Sequence, residues 1–376
     1  MKVLYIGHYK ENSGWANAAV NQILALDKAG IDIVCRNVTL TQDNNNIDPR
    51  IQQLEQKDSY GCDICIQHVL PHHLVGGDAF KKNIAFLESE STSLKNVGWL
   101  TQLKQMQEIW VPNNDLKKSL INDGIKIPIH VVHHPSNISK YQRKYQDIQI
   151  EPAKNKFKFY YIGDLNQRKN LESIITCFHS EFDKSEPVSL ILKVRKFGHN
   201  QEQTKQLTDQ IISKVKQELR MYPDINQYHM DIVISEDVTE DQLYSLHQHC
   251  DCFISPTHGE AWSLPSFDAM GFGSSPICSN YGGPKEFIDG DSCTLVDGSY
   301  SVCRCSDAAF PDLFTGREYW FQPCEMQIRE AMREKYETHQ KDPLAAKRSW
   351  KLAGLEQAKL FSYEKIGQQM KGLLNE

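Results

Sequence analysis

His258-Gly-Glu-Ala-Trp-Ser-Leu-Pro-Ser-Phe-Asp-Ala-Met-Gly-Phe-Gly-Ser-Ser-Pro-Ile-Cys-Ser-Asn-Tyr-Gly-Gly283 is the stretch on which the reading turns. The apolar run Cys252-Phe253-Ile254 before it reads as a strand, and Glu260 falls in the loop that follows. Pro265 can occupy the first turn of a helix, where its missing N–H costs little. Gly271 and Gly273 end that helix, and Asp268 falls in or near its first turn. Pro276-Ile277-Cys278 reads as another short strand, followed by the turn Gly282-Gly283-Pro284. Two carboxylates eight residues apart thus bracket a helix start. The free N–H groups and dipole of a helix start attract phosphate. Carboxylates beside them accept hydrogen bonds from sugar hydroxyls. A pyrophosphate carrying a ribose on one side and a hexose on the other matches this arrangement. In a plainer reading Asp268 only stabilises the helix start, by about 0.3–1 kcal/mol, and Glu260 is a solvated loop acid. That reading leaves Gly259, Pro265 and the Gly-Gly pair to coincidence.

The stretch resembles the donor-site signature of retaining glycosyltransferases of the GT-B fold, in the large family 4 group. That signature has Glu, seven residues, Glu, with a Leu-Pro inside, then Ala-Met and Gly-Gly-x-x-Glu. Glu260, Leu264-Pro265, Ala269-Met270 and Gly282-Gly283-Pro284-Lys285-Glu286 match it. Asp268 stands where the family usually has the second Glu, one methylene shorter.

At 376 residues the chain suggests two domains. A net charge of −6 argues against a nucleic-acid binder relying on a strongly basic surface. No stretch approaches the roughly 20 apolar residues of a membrane span. The opening Met1-Lys2-Val3-Leu4-Tyr5-Ile6-Gly7-His8 reads as a first strand, too quickly polar for a signal peptide. Eleven cysteines, several in apolar contexts (Cys35, Cys65, Cys252, Cys278), read as buried thiols of a cytoplasmic protein. Cys62-x-x-Cys65 and Cys303-x-Cys305 lack a second ligand pair at zinc-site spacing.

Working back to the N-terminus, a strand at 2–7, the turn Asn12-Ser13-Gly14-Trp15, a helix at about 16–28 and a strand from Ile31 form one strand–loop–helix–strand unit. Gly14 would let the backbone approach a ligand, or serve an ordinary strand-to-helix turn. Residues 40–60 are polar, with a short helix near Arg50 to Gln56, and strands are expected at 63–67, 84–87, 108–111 and 129–132. Glu88 and Glu90 follow a strand, where open α/β sheets place ligand groups. The run from Phe86 to Trp110-Val111-Pro112-Asn113 resembles the family's Phe-Glu-Ser/Thr segment and its Trp-Val-Pro-Ser. The resemblance puts Glu88, Glu90 and His133 on the acceptor side. His133-His134 could be metal ligands, but no third ligand is indicated.

Residues 141–156 read as an inter-domain linker. A strand ending in Gly163 follows, then Asp164-Leu165-Asn166-Gln167-Arg168-Lys169-Asn170, opening a helix through Phe178. Arg can fork onto two phosphate oxygens and Lys supplies a point charge. Gly163-x-Leu165-x-x-x-Lys169 matches the family's phosphate-binding segment. Asp164 occupies a position that is often Arg there, which leaves the second charge to Arg168. Further strands are expected at 188–194 and 231–235, the latter followed by Glu236, and helices at about 201–221 and 239–249. Asp289-Gly290-Asp291 lacks the fold context of a metal-binding Asp-x-Asp. Residues 298–318 read as a loop insertion. Tyr319-Trp320-Phe321-Gln322-Pro323 and the helix after it resemble the family's Trp-x-x-Pro and Met-Arg helix. Two last helices, about 343–359 and 362–375, would cross back to the first domain.

The expected architecture is α/β, a GT-B fold of two Rossmann-like domains facing a central cleft. Residues 1–148 form the acceptor-side domain, with the helix 360–376 packed back on it. Residues 149–359 form the nucleotide-sugar domain. The resemblance implies retaining transfer of a hexose from a UDP- or GDP-sugar to a saccharide or other glycan acceptor, with no cofactor and no metal. It gives Glu260, Arg168 and Lys169 the catalytic roles, and the donor site Gly14, Gly163, Glu236, Ser263, Leu264, Pro265 and Asp268. A lipid-linked acceptor would add peripheral membrane contact. A nucleotide-sugar epimerase of the same fold, a non-catalytic nucleotide-sugar binder and a metal-dependent redox protein are the alternatives.

Overall fold

The computed structural model describes residues 1–40, 47–290, 293–306 and 312–376. The chain divides into two units, Met1–Ile138 with Lys359–Glu376, and Ser139–Ala358.

The first unit runs β1 (Lys2–Gly7), α1 (Gly14–Lys28), β2 (Asp32–Asn37), α2 (Pro49–Glu55), β3 (Ile64–His68), β4 (Lys82–Phe86), α3 (Leu100–Leu103), β5 (Glu108–Val111), α4 (Asn114–Asn122) and β6 (Ile129–Val131). Its strands pair in parallel in the order β2-β1-β3-β4-β5-β6. Parallel strands covered on both faces must be apolar along their length, and Ile64-Cys65-Ile66 and Ile84-Ala85-Phe86 are. Ser13 starts α1 by accepting the Ala16 N–H.

The second unit continues with β7 (Phe157–Asp164), α5 (Leu171–Glu181), β8 (Val188–Arg195), α6 (Gln201–Leu219), β9 (Asp231–Ile234), α7 (Glu240–His249), β10 (Cys252–Ser255), α8 (Leu264–Phe272), β11 (Ile277–Ser279), α9 (Pro284–Phe287) and β12 (Thr294–Val296). Then come β13 (Gly298–Val302), β14 (Tyr319–Pro323), α10 (Glu325–Lys341), α11 (Pro343–Lys359) and α12 (Tyr363–Leu374). The main sheet is again six-stranded, in the order β12-β11-β10-β7-β8-β9. Phe157, Phe159 and Tyr161 of β7 join one core with α5, α6 and α10, while Tyr160 packs on the other face with Leu246, Phe253 and Ala269.

The helix after β7 begins at Leu171, where Asn170 takes a left-handed conformation (φ 57°) that separates a 3-10 turn at Gln167–Lys169 from α5. Two local expectations change. The stretch 298–318 is not all loop: β13 pairs antiparallel with β14, and Cys303, Phe314 and Trp320 form a small core beneath the connection. Of the last two helices only α12 lies in the first unit, on α1; α11 belongs to the second unit through Ala358. Residues 141–156, polar enough to read as a linker, include Tyr141 and Tyr145, both buried against Phe272. Asp291 of the Asp-x-Asp and residues 41–46 lie outside the described residues. All eleven cysteines are free thiols, eight of them buried.

Candidate active site

In the second unit's sheet, β7 and β10 are neighbours, and the chain order reverses between them. A reversal of this kind opens a crevice at the carboxyl ends of the strands, where doubly wound folds take ligands. Arg168 and Lys169 follow β7, and His258 to Ser263 follow β10. Backbone and side chain tie the two loops together. His258 N donates to Arg168 O at 2.9 Å, Arg168 Nη1 to Gly259 O at 2.6 Å, and Asn170 Nδ2 to Pro256 O at 2.9 Å. The Asn166 side chain accepts the Lys169 N–H at 3.1 Å, which sets the 3-10 turn that aims Lys169.

Glu260 is buried, and a buried carboxylate is costly unless paired. Lys169 Nζ lies 2.6 Å from its Oε1 and Arg168 Nη1 3.4 Å from the same atom. Burial pushes the Glu260 carboxyl upward, but the two cations outweigh it and hold it below the ordinary glutamate range. Two cations against one carboxylate leave this group with an excess positive charge. The loop reaches that position only because Gly282 and Gly283 lie against it. A Cβ on Gly282 would sit 2.3 Å from Glu260 O, and one on Gly283 2.2 Å from Trp262 Cα. Gly283 N bonds Glu260 O at 2.9 Å.

Ser263 enters α8 in a left-handed conformation (φ 73°), a strained choice for serine that recurs at ligand sites. Its hydroxyl bonds Ser266 Oγ at 2.6 Å and caps no amide of the helix. Leu264 and Pro265 form the first turn; their side chains, with Asp268, make the partly exposed strip of an otherwise buried helix. Asp268 lies in the second turn rather than the first, because the helix opens at Leu264. Its Oδ1 accepts from Tyr141 OH and Lys140 Nζ, each at 2.7 Å. Gly163 is the penultimate residue of β7, and Asp164 pairs with Arg195 Nε at 2.7 Å. Glu236 is exposed just beyond β9, joined to neither Glu260, Arg168 nor Lys169 by an ion pair or hydrogen bond among the described residues.

In the first unit the order reverses between β1 and β3. Glu88, just past β4, stands there with His68 Nε2 at 2.8 Å and His134 Nε2 at 3.2 Å, both on Oε1. Burial raises the Glu88 carboxyl, but the imidazoles prevail and hold it at about 2. His68 is fully buried. Tyr5 OH is 2.7 Å from its Nδ1, and Trp15 Nε1 donates to its Nε2 at 2.6 Å. That Nε2 can accept from Trp15 or donate to Glu88, but not both at once. Both imidazoles thus turn to the same carboxylate oxygen. Among the described residues no group of three or more His, Cys, Asp or Glu could hold a metal ion. His133, by contrast, packs edge-on to Phe361 at 5.3 Å, and Glu90 is half-buried. Gly14 is the exposed first residue of α1. Sequence reasoning missed His68, Lys140 and Tyr141 altogether and chose His133 over its neighbour His134. The pattern His134-Pro135 after a strand was the one available signal.

Residues 142–302 match the family model described as glycosyl transferases group 1. A search of curated proteins finds no match. Solved structures share the fold across the whole chain. HepE from Anabaena, in complex with UDP-glucose, superposes with a TM-score of 0.66 at 13% identity, covering 100% of this chain and 99% of that one. Sucrose-phosphate synthase from Thermosynechococcus elongatus gives 0.63 at 14% identity, covering 100% and 98%. The trehalose-6-phosphate synthase OtsA gives 0.67 at 10% identity, covering 100% and 99%. The two doubly wound parallel sheets give the chain the GT-B fold, and the glycosyl transferases group 1 match covers residues 142–302 of its second unit.

Proposed function

We propose that the second unit binds a UDP- or GDP-sugar and that the chain transfers its hexose to a saccharide or other glycan acceptor, with retention at the anomeric carbon and without a metal. The observation that carries this reading is the Glu260–Lys169–Arg168 group at the mouth of α8, net positive and set at the sheet reversal. HepE, of the same fold, is described in complex with UDP-glucose.

In the proposed reaction the bond from C1 to the diphosphate breaks and a bond from the acceptor oxygen to C1 forms on the same face. The acceptor proton passes to the departing phosphate oxygen. Lys169 and Arg168, with the amides at the start of α8, stabilise charge growing on the diphosphate, the kind of preorganised term that commonly dominates catalysis. Glu260 accepts hydrogen bonds from donor-sugar hydroxyls. Glu88, ionised between its imidazoles, is suited to accept one from an acceptor hydroxyl rather than to serve as a base near neutrality.

A thermal-shift panel of UDP-, GDP-, ADP- and TDP-sugars tests the donor half. One nucleotide family should stabilise the wild type in proportion to the logarithm of its concentration over Kd. Lys169→Ala should weaken that binding and reduce turnover by about 10²-fold or more. No shift at millimolar concentration defeats the reading. Proton NMR of the product then reports the anomeric configuration, and inversion would rule out a retaining mechanism. Release of an altered nucleotide sugar without acceptor would instead favour the epimerase.

A further inference from the structure

α8 carries Asp268 one turn, about 6 Å, behind its N-terminal end. That offset is comparable to the reach of a ribose from its phosphate-bearing carbon to its ring hydroxyls. Two donors, Tyr141 OH and Lys140 Nζ, converge on the same oxygen, Oδ1. Oδ2 receives no hydrogen bond among the described residues.

The seat of Tyr141 is set several times over. Its ring lies against Gly271, where a Cβ would stand 2.6 Å from ring carbons. Its edge meets Phe272 at 5.0 Å and 85°. Its carbonyl accepts from Lys351 Nζ at 2.8 Å, and the same ammonium reaches Gly271 O at 3.2 Å. The Lys140 ammonium is in turn held over the rings of Tyr141 and Tyr244, at 5.2 and 4.9 Å. A carboxylate gripped through one oxygen by two fixed donors cannot rotate without losing both. It has therefore given up its rotamer freedom before any ligand arrives, which lowers the cost of binding one.

The geometry points to Lys140 and Tyr141 as positioning residues that hold the Asp268 carboxylate so that Oδ2 accepts a ribose hydroxyl of the donor nucleotide. This rests on the donor reading above. It also accounts for a short aspartate at a position where the resembling family has glutamate. The carboxylate is steadied from behind by residues outside the motif.

A merely structural latch would make a different prediction. Tyr141→Phe or Lys140→Met would then loosen residues 139–145 and weaken every nucleotide alike. The discriminating quantity is the ratio of affinities for a ribonucleotide and its 2′,3′-dideoxy counterpart. UDP, GDP and ADP, each paired with its dideoxy form, would be titrated calorimetrically into wild type, Tyr141→Phe, Lys140→Met and Asp268→Asn. Wild type should prefer one ribonucleotide by about tenfold or more, the worth of a hydrogen bond to a charged group. In Asp268→Asn and in both positioning variants the preference should fall to within about threefold. If Asp268→Asn loses the preference and Tyr141→Phe and Lys140→Met keep it, the positioning role is wrong and the donor site stands. If wild type shows no preference, Asp268 does not read the ribose and the inference falls alone. If wild type binds none of the three diphosphates, the donor reading falls and this inference with it.

Discussion

Glu260 and Glu88 are both largely buried carboxylates that stay ionised, by different means. Glu260 is paired with two permanent cations, and Glu88 with two imidazoles. The second arrangement has a pH signature. The Glu88 carboxyl is held at about 2 against an ordinary value of 4.5, so its stabilisation is complete above pH 4.5 and is lost as the pH falls toward 2. Over that interval the unfolded chain binds a proton that the folded chain does not. Glu88→Gln should therefore flatten the fall of stability with acid by up to about 1.4 kcal/mol per pH unit. Urea midpoints measured from pH 5.5 downward check this, and parallel curves for wild type and variant would refute it. Lys169 and Glu260 were legible beforehand because each sits in a motif of fixed spacing. The partners of Glu88 were not, since His68 and His134 come from other strands and nothing near Glu88 in the chain names them.

At the scale of elements, α8 is held by what crosses it as much as by its own sequence. Pro265, Gly271 and Gly273 announce its limits, and it ends at Phe272 with Gly273 in the left-handed region (φ 87°). What the helix packs against is a different matter. A Cβ on Gly354 of α11 would stand 2.0 Å from Met270 O, so α11 crosses α8 at backbone contact. Gly354→Ala should force the two helices apart, at a cost of roughly 1–3 kcal/mol and a fall of several degrees in Tm. An unchanged Tm would show that the crossing yields freely. Gly354 carried no signal in the sequence, because a glycine inside a helical pattern shows no sign of the element it faces.

Across the whole molecule, the first unit is completed by the far end of the chain. α12 lies on α1, with Tyr363 OH donating to Asn21 Oδ1 at 2.5 Å and Lys371 Nζ to Ala29 O at 2.9 Å. A Cβ on Gly367 would come within 2.3 Å of Ala25 O, whereas one on Gly372 would meet nothing within 4 Å. The two glycines of one helix should therefore respond oppositely. Gly367→Ala should destabilise by parting α12 from α1, and Gly372→Ala should stabilise by about 0.5–1 kcal/mol through helix propensity alone. Denaturant unfolding of the pair reads the contrast, and a shared sign would contradict this packing. No helix among the described residues is long and apolar enough to cross a membrane.

Local patterning was sufficient to specify the alternation of strands and helices, the parallel α/β class and the segments that carry Arg168, Lys169, Glu260 and Asp268. Apolar runs, caps and glycine punctuation act over a few residues, and a single sequence records them directly. Strand order, and with it the meeting of the loops after β7 and β10, was settled only in three dimensions. So were the grip of Lys140 and Tyr141 on Asp268 and the imidazoles around Glu88. Each depends on surfaces brought together from distant parts of the chain. Such contacts form because burying apolar faces outweighs the entropy of ordering them, and that balance leaves no mark at any one position.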